Sequence, residues 1–407
     1  MLLLLLACTA PGDLDSAPRG EPASSLPEDC SLLPAPSDGT ALSPGDDIAA
    51  AVAAAAPNST LILEAGSYPL STGLLIDKKG LTLRSRSGDA ATVILDGFYA
   101  SPSLITIMAS DVTLIGVTLT RSYGPALVVR GGNGENTDGT KLYGMRITDA
   151  GEEALRIEPG TGSWADGGTL GCSDLSRTAD GRENSSVSCF GGLDAIGARN
   201  WRVYRNRIHG FWCDDWPWAV RFRDGSGGTV IERNYITDSS RLVAFGDDQG
   251  PLSDARIPSD SACADSVEIE HDGGFLRNNF LGLPTAELAT DMRSGIGVYN
   301  SCLISILHNS YWAIPSPPTV LLTYGQVSSG RVVNGLWPAT PQPTVGIFSL
   351  SHNIVPQSSD FSGEEDLHLT AESPANDQGA VLEEGACDDD IDGDVRSDVP
   401  DVGADER

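Results

Sequence analysis

Charged side chains recur at equivalent places in several short apolar runs, and their spacing could support chemistry. Residues 219–223 read Ala-Val-Arg-Phe-Arg, and residues 192–196 read Gly-Leu-Asp-Ala-Ile. Alternate side chains of a strand point to opposite faces, so the charged residues point away from the core that the apolar ones fill. We predict that they form one charged stripe. Its predicted members are Arg130, Arg156, Glu158, Asp194, Arg221 and Arg223.

A stripe of arginine and aspartate is compatible with cleavage of a polysaccharide by β-elimination. That reaction needs a base that removes a proton beside a uronic carboxylate, and a cation that neutralises the carboxylate. Arg221 and Arg223 are the predicted bases, with His209 as the alternative, and Asp194 is the third predicted catalytic residue. The same charges would also serve as a ladder of salt bridges, which is a purely structural role.

Hydrolysis of a glycan is the second chemistry that the sequence allows. It needs two opposed carboxylates at a defined separation. The adjacent pairs Asp214, Asp215 and Asp247, Asp248 offer such carboxylates, and adjacency is the one feature that favours them.

Three of the seven tryptophans fall within seven residues, at Trp212, Trp216 and Trp218. Indole rings stack on the apolar faces of sugars, so these tryptophans, with Arg156 and Arg130, are the predicted substrate-binding residues. Asp214 and Asp215 lie between them and are the predicted ligands of calcium, the one cofactor that the sequence suggests. The alternative is that the tryptophans pack against the flank of the protein.

The net charge of −30 restricts the partners of the protein. Nucleic acid is excluded, because its binding normally needs a basic surface. An acidic polysaccharide would be repelled unless a cation or a local basic patch intervened. The expected partner is therefore a polysaccharide bound at the arginine stripe, and the expected oligomeric state is a monomer.

The residues that could do chemistry lie on a repeated scaffold. Residues 200–208 and 228–236 share an alternating pattern that ends in Asn-x-Ile, and Asn206 and Asn234 are 28 residues apart. Each is followed by a second apolar run. Two strands per period with loops of variable length predict a solenoid in which successive coils stack. Recurrent asparagines at one corner are predicted to bond the turn backbone.

The start of the solenoid is more specific. An alanine-rich stretch at 46–56 precedes Ile-Leu-Glu-Ala-Gly-Ser-Tyr-Pro-Leu at 62–70, Gly-Leu-Thr-Leu-Arg-Ser at 80–85 and Val-Ile-Leu-Asp-Gly at 93–97. This order resembles the N-terminal entry of right-handed parallel β-helix proteins of the pectate-lyase-like superfamily. The resemblance implies an all-β fold, a single-stranded right-handed parallel β-helix over 45–407, with a short N-terminal capping α-helix.

The catalytic signatures of that superfamily are absent. The polygalacturonase branch carries Asn-Thr-Asp, Asp-Asp, Gly-His-Gly and Arg-Ile-Lys in order, and only bare Asp pairs occur here. No segment resembles the catalytic segments of pectate lyases. The prediction is therefore a surface protein that binds polysaccharide without catalysis, and the alternative is a polysaccharide lyase acting on uronic-acid glycans.

The first residues resemble an export signal. Leu5-Leu6-Ala7-Cys8 looks like a bacterial lipobox, which implies that 1–8 is the remnant of a signal peptide and that Cys8 is lipidated. Residues 9–44 are rich in Pro, Ser, Gly and acidic residues and are predicted to be a disordered linker. The expected location is the bacterial cell envelope, as an outer-membrane lipoprotein or at the cell surface, with a lipid anchor as the contact with the membrane.

Cysteines and acidic residues suggest further features. Cys172 and Cys189 flank one loop and are predicted to form a disulfide. The acidic run at 388–394 is either a calcium site or a solvated tail. The histidines show no metal spacing, so no transition metal is expected.

Overall fold

The computed structural model describes residues 26–184, 190–213, 215–248, 256, 263, 269–284, 292–313, 319–325, 327–363 and 365–407. Over these ranges the chain forms a single-stranded right-handed parallel β-helix, which confirms the predicted fold. Three parallel sheets of twelve, nine and nine strands run along its length within the described residues.

The strands of the three sheets follow one another along the chain. The first sheet contains β1 (Thr40–Leu42), β2 (Thr60–Leu63), β5 (Thr82–Ser85), β8 (Thr113–Ile115), β11 (Lys141–Tyr143), β14 (Thr169–Gly171), β17 (Arg202–Tyr204), β20 (Ser226–Glu232), β23 (His271–Arg277), β26 (Ser301–Leu307), β29 (Ser329–Val333) and β30 (Ile347–Ser351). The second sheet contains β4 (Leu74–Ile76), β7 (Ile105–Ile107), β10 (Leu127–Arg130), β13 (Leu155–Glu158), β16 (Leu193–Ile196), β19 (Trp218–Arg223), β22 (Arg241–Phe245), β25 (Ser294–Tyr299) and β28 (Thr319–Tyr324). The third sheet contains β3 (Gly66–Pro69), β6 (Val93–Asp96), β9 (Thr118–Thr120), β12 (Arg146–Thr148), β15 (Asp174–Ser176), β18 (Arg207–His209), β21 (Tyr235–Thr237), β24 (Phe280–Gly282) and β27 (Ser310–Trp312).

Short elements complete the fold. They are the helices α1 (Ile48–Ala54) and α2 (Ala179–Asn184), the 3-10 turns Ala90–Thr92 and Ser358–Asp360, and the antiparallel pair β31 (Phe361–Gly363) and β32 (Asp366–Leu369). The helix α1 begins after Asp47, whose side chain accepts a hydrogen bond from the backbone N–H of Ala50 at 2.9 Å. Its buried residues Ile48 and Val52 join the core, as expected of a helix that caps the first coil.

Apolar side chains stack in columns inside the coils. In the second sheet Leu127 pairs with Leu155, Leu155 with Leu193, and Leu193 with Val220, and all four side chains are fully buried. The alternation in the sequence predicted these inward positions correctly. The charged residues between them therefore face away from the core.

An asparagine ladder holds one corner of the coils together. The backbone N–H of Asn206 donates to Oδ1 of Asn234, that of Asn234 to Asn279, and that of Asn279 to Asn309, at 2.9, 2.9 and 3.1 Å. Asn279, and not the adjacent Asn278, continues the ladder. Asn278 instead donates from Nδ2 to the backbone carbonyl of Asp389 at 2.7 Å.

The segment before the first coil differs from the predicted linker. Over residues 26–44 the chain lies against the β-helix: Leu26 is buried, and β1 pairs in parallel with β2. Cys30 forms a disulfide with Cys172, 142 residues away in sequence. The predicted bond between Cys172 and Cys189 is therefore wrong, because Cys172 faces this N-terminal segment. Cys189 and Cys8 lie outside the described residues.

The end of the chain closes the last coils. Ile391, Val402 and Ala404 are buried in a small cluster with Phe280 and Leu336. The backbone N–H of residue 404 donates to Oγ of Ser310 at 2.9 Å. The last segment thus covers the third sheet near its C-terminal end.

Candidate active site

The predicted stripe lies on the outer face of the second sheet. Parallel register places Arg156 beside Asp194 and Asp194 beside Arg221 on the adjacent strands β13, β16 and β19. Arg223 lies two residues further along β19. The structure thus brings together the three residues predicted to be catalytic. His209 belongs to the third sheet, where it contacts Asp174 at 3.5 Å.

Carboxylates surround the two central arginines. Nε of Arg221 donates to Asp194 at 2.8 Å and its Nη1 donates to Asp247 at 2.9 Å. Arg223 donates from Nη2 to Asp194 at 2.9 Å and from Nη1 to Asp224 at 2.6 Å. All three carboxylates are buried. The centre of the stripe is therefore a network of ion pairs in which the carboxylates are buried and the arginines are partly buried.

This network fixes the charge of its members. Burial alone would raise the pKa of Asp194, but Arg221 and Arg223 outweigh it and lower that pKa to about 2. Burial opposes the charge of both arginines as well, yet the carboxylates around them raise the pKa of each. A guanidinium that holds its proton this firmly is unsuited to the role of base that the sequence suggested for Arg221 and Arg223.

A different residue beside the network can exchange a proton near neutral pH. Glu153 is 3% exposed and accepts a hydrogen bond from Nη2 of Arg156 at 2.5 Å. Burial, and next the charge of Asp194, raise the pKa of Glu153 to about 7, although Arg156 acts in the opposite direction. Glu152 takes a second hydrogen bond from Arg156 at 2.7 Å.

A cavity of about 350 Å³ opens in front of these groups. Glu153, Asp194 and Arg221 form one part of its wall. The remaining lining residues include Asp215, Trp216, Trp218, Arg241, Asp247 and Asp248. The cavity thus lies beside the stripe, and acidic side chains outnumber arginines along its wall.

The tryptophans divide between this wall and the protein interior. Trp216 is half-buried, lines the cavity and has the guanidinium of Arg293 4.2 Å from its ring centroid. Trp218 also lines the cavity, but it is almost completely buried and meets Tyr299 edge-on at 6.1 Å. Trp212 stacks with Arg182 at 4.0 Å and is not part of the cavity wall. Trp218 therefore packs against the protein as the second alternative expected, whereas Trp216 lies where a molecule in the cavity would contact it.

The remaining predicted residues lie at the edges of this region or beyond it. Arg130 forms a half-exposed pair with Glu158 at 3.3 Å. Asp215 lines the cavity, whereas Asp214 lies outside the described residues. Among the described residues, no three cavity carboxylates each place an oxygen within 4.8 Å of the others. Because Asp214 lies outside the described residues, the calcium site predicted at Asp214 and Asp215 stays a prediction.

Sequence reasoning missed Glu153. The signal was present, because Glu152 and Glu153 precede Arg156 by four and three residues, immediately before a strand of the stripe. Glu153 became conspicuous only when its burial beside Asp194 was known.

A helix long and apolar enough to cross a membrane does not occur among the described residues.

Comparisons with known proteins support the architecture. No family model and no curated protein matches this chain. It is similar in structure to the pectate lyase Pel9A, with 13% sequence identity, a TM-score of 0.56, and coverage of 90% of this chain and 96% of that one. It is also similar to an alginate lyase from Paenibacillus sp. str. FPU-7, with 12% identity, a TM-score of 0.55, and coverage of 78% and 99% respectively. At these identities the likeness establishes the β-helix fold.

Proposed function

We propose that the protein is a carbohydrate-active enzyme that cleaves a polysaccharide in the cavity in front of Glu153. The observation that carries this proposal is the opposite shift of two neighbouring carboxyl groups. Glu153 has its pKa raised to about 7, and Asp194 has its pKa lowered to about 2. Pairs of acidic groups with separated pKa values are how active sites provide an acid and an anion at the same pH.

Glu153 is the proton-transferring residue in this proposal. Its carboxyl group lines the cavity and keeps its proton up to a pH near 7, so it can protonate the oxygen of a glycosidic bond. Asp194, held ionised by Arg221 and Arg223, adds to burial in raising the pKa of Glu153 and so helps to keep the donor protonated. Trp216 supplies an aromatic surface on the same wall.

The charge of the cavity indicates which glycan it accepts. Asp194, Asp215, Asp247 and Asp248 contribute four carboxylates to its wall, against the guanidinium groups of Arg221 and Arg241. The excess of negative charge would repel the carboxylates of a uronic-acid polymer, whereas it would not repel an uncharged polysaccharide. Hydrolysis of a neutral glycan therefore fits the cavity better than elimination from a uronate. The two similar structures above are a pectate lyase and an alginate lyase, which keeps elimination as a reaction to test.

Binding without catalysis is the second candidate, and one observation favours it. Each charged residue of the stripe forms an ion pair with another residue of the protein, as a structural ladder would. A protein that only binds glycan would need the cavity and Trp216, but not the ionisation of Glu153.

One experiment separates these candidates. The purified protein is incubated with neutral and uronic polysaccharides, and both new reducing ends and the absorbance of unsaturated products are followed. We expect reducing ends from a neutral polysaccharide, no product with Glu153→Gln, and retained activity with Glu152→Gln, which changes the other Arg156 partner. Binding without any product would favour the second candidate. Unsaturated products that need Glu153 would make it the base of a lyase.

The cellular location completes the proposal. We place the protein at the bacterial cell envelope, anchored through a lipid on Cys8, as a monomer that reaches extracellular polysaccharide. The support is the lipobox-like sequence before Cys8. Labelling with a fatty-acid analogue in cells should mark the wild type and leave Cys8→Ala unlabelled.

A further inference from the structure

A histidine and two aspartates that are distant in sequence meet where the end of the chain closes the β-helix. His368 lies on β32, Asp392 on the following loop, and Asp405 next to the C-terminus. One possible ligand atom from each residue falls within 4.8 Å of the others. Nε2 of His368 is 3.0 Å from Oδ2 of Asp392. This cluster is separate from the cavity described above.

The imidazole is held in the orientation that a metal ligand needs. Nδ1 of His368 contacts Oδ1 of Asp366, so the other ring nitrogen is directed at Asp392. The ring also meets Phe280 edge-on, at 4.9 Å between centroids and 82° between planes. In metal sites a ligating histidine commonly binds a carboxylate through its second nitrogen, which fixes the tautomer and the ring.

The two aspartates differ in how firmly the fold holds them. Asp405 is buried, and its Oδ2 accepts a hydrogen bond from the backbone N–H of Leu369 at 2.7 Å. Asp392 is exposed, so a cation could approach from its side. Asp390 is buried nearby, and its Oδ1 accepts a hydrogen bond from the backbone N–H of Asp392 at 2.9 Å. The closing segment therefore concentrates negative charge around one oriented histidine.

We propose that His368, Asp392 and Asp405 bind a divalent transition-metal ion, with Zn²⁺ as the best fit, and that Asp366 positions the histidine. Imidazole nitrogen and carboxylate oxygen are both ligands that Zn²⁺ takes in proteins, whereas calcium takes oxygen ligands alone. Three protein ligands leave the fourth tetrahedral position to water.

The ion would link separate parts of the chain end. His368 belongs to the β31–β32 pair, and Asp392 and Asp405 belong to the segment that packs on Phe280 and Leu336. A ligand that binds only the folded state stabilises it in proportion to its free concentration and affinity. Zinc should therefore protect the closing segment against unfolding, independently of the activity of the cavity.

The test uses the full chain after treatment with EDTA and removal of the chelator. Zinc is titrated in by calorimetry, and the metal bound after desalting is counted by elemental analysis. We expect one tightly bound Zn²⁺ per chain and a higher unfolding temperature in its presence. His368→Ala should lose this equivalent, whereas the matched control His352→Ala, an exposed histidine on the turn after β30, should keep it.

Two milder variants keep the test decisive if His368→Ala folds poorly. Asp392→Asn changes an exposed side chain and should also lose the zinc equivalent. Asp366→Asn should bind zinc about 10- to 100-fold more weakly, as is usual when the residue that orients a histidine ligand is changed. Absence of stoichiometric zinc from the wild type, or equal affinity in Asp392→Asn, would overturn the proposal.

Discussion

Glu153 and Asp194, on neighbouring coils of the β-helix, line one cavity wall and have pKa values shifted in opposite directions. The negative charge of Asp194 adds to burial and raises the pKa of Glu153 to about 7. Asp194 itself remains ionised down to a pH of about 2 because Arg221 and Arg223 contact it. This contrast lets the site present one protonated and one ionised carboxyl group across a wide pH range.

The first prediction concerns the pH dependence of activity. If Glu153 donates a proton, kcat/KM should be highest in mildly acidic solution and fall as the pH rises through about 7, because the donor loses its proton there. The measurement is the initial rate of reducing-end formation across this range. A rate that instead rises up to a pH near 7 would mean that the ionised form works, as in a lyase.

The second prediction concerns stability. The pKa of Glu153 is about 7 in the folded state, against 4.5 for an ordinary glutamate. Between these pH values the unfolded chain loses its proton and the folded protein keeps it, so the free energy of unfolding falls as the pH rises. The loss is on the order of 3 kcal/mol and levels off above pH 7.

Urea unfolding at several pH values checks this dependence. Glu270 also has its pKa raised to about 7, mainly by burial, so the wild type alone cannot isolate Glu153. The difference between wild type and Glu153→Gln can, because Glu270 is present in both. This difference should vary with pH between about 4.5 and 7, and a constant difference would contradict the assigned pKa.

The repeating part of the structure could be predicted because its physical cause is local. Alternation along a strand decides which side chains enter the core, so the inward positions of Leu127, Leu155 and Val220 followed from the sequence. A pattern of this kind does not say which of two adjacent asparagines takes the corner. In the structure Asn279, and not Asn278, continues the ladder.

The site could be predicted only in outline, because its energetics depend on distant parts of the chain. The sequence indicated that Arg221 and Asp194 share a face, but not that Asp247, from the end of another strand, would neutralise the arginine. Because the loops vary in length, the sequence does not show which residues of different coils come into contact. The same limit explains why the sequence predicts a disulfide between Cys172 and Cys189, whereas the structure joins Cys172 to Cys30.

The third prediction compares two ion pairs of the stripe. Asp194→Ala should destabilise the protein by about 3–5 kcal/mol, since it removes the buried carboxylate that the partly buried Arg221 and Arg223 share. Glu158→Ala, which breaks the half-exposed pair with Arg130, should cost less than about 1 kcal/mol. Chemical denaturation of both variants measures the difference, and similar losses would contradict a buried network.

The fourth prediction concerns the bond between Cys30 and Cys172. This disulfide ties the N-terminal segment to the first sheet, where Tyr143 donates a hydrogen bond from its hydroxyl to the backbone carbonyl of Ser31 at 2.8 Å. Cys30→Ser should release residues 26–39 to a protease while the coils stay folded, because β1 still pairs with β2.

Limited proteolysis followed by mass spectrometry identifies the cleavage sites in this variant. The free energy of unfolding should fall by no more than about 5 kcal/mol, because removal of a native disulfide usually costs about 2–5 kcal/mol. The Cys387→Ser variant is the matched control, since Cys387 is a buried free thiol in the closing segment. It should leave the N-terminal segment protected. Equal resistance of Cys30→Ser and wild type would mean that noncovalent contacts alone hold this segment against the β-helix.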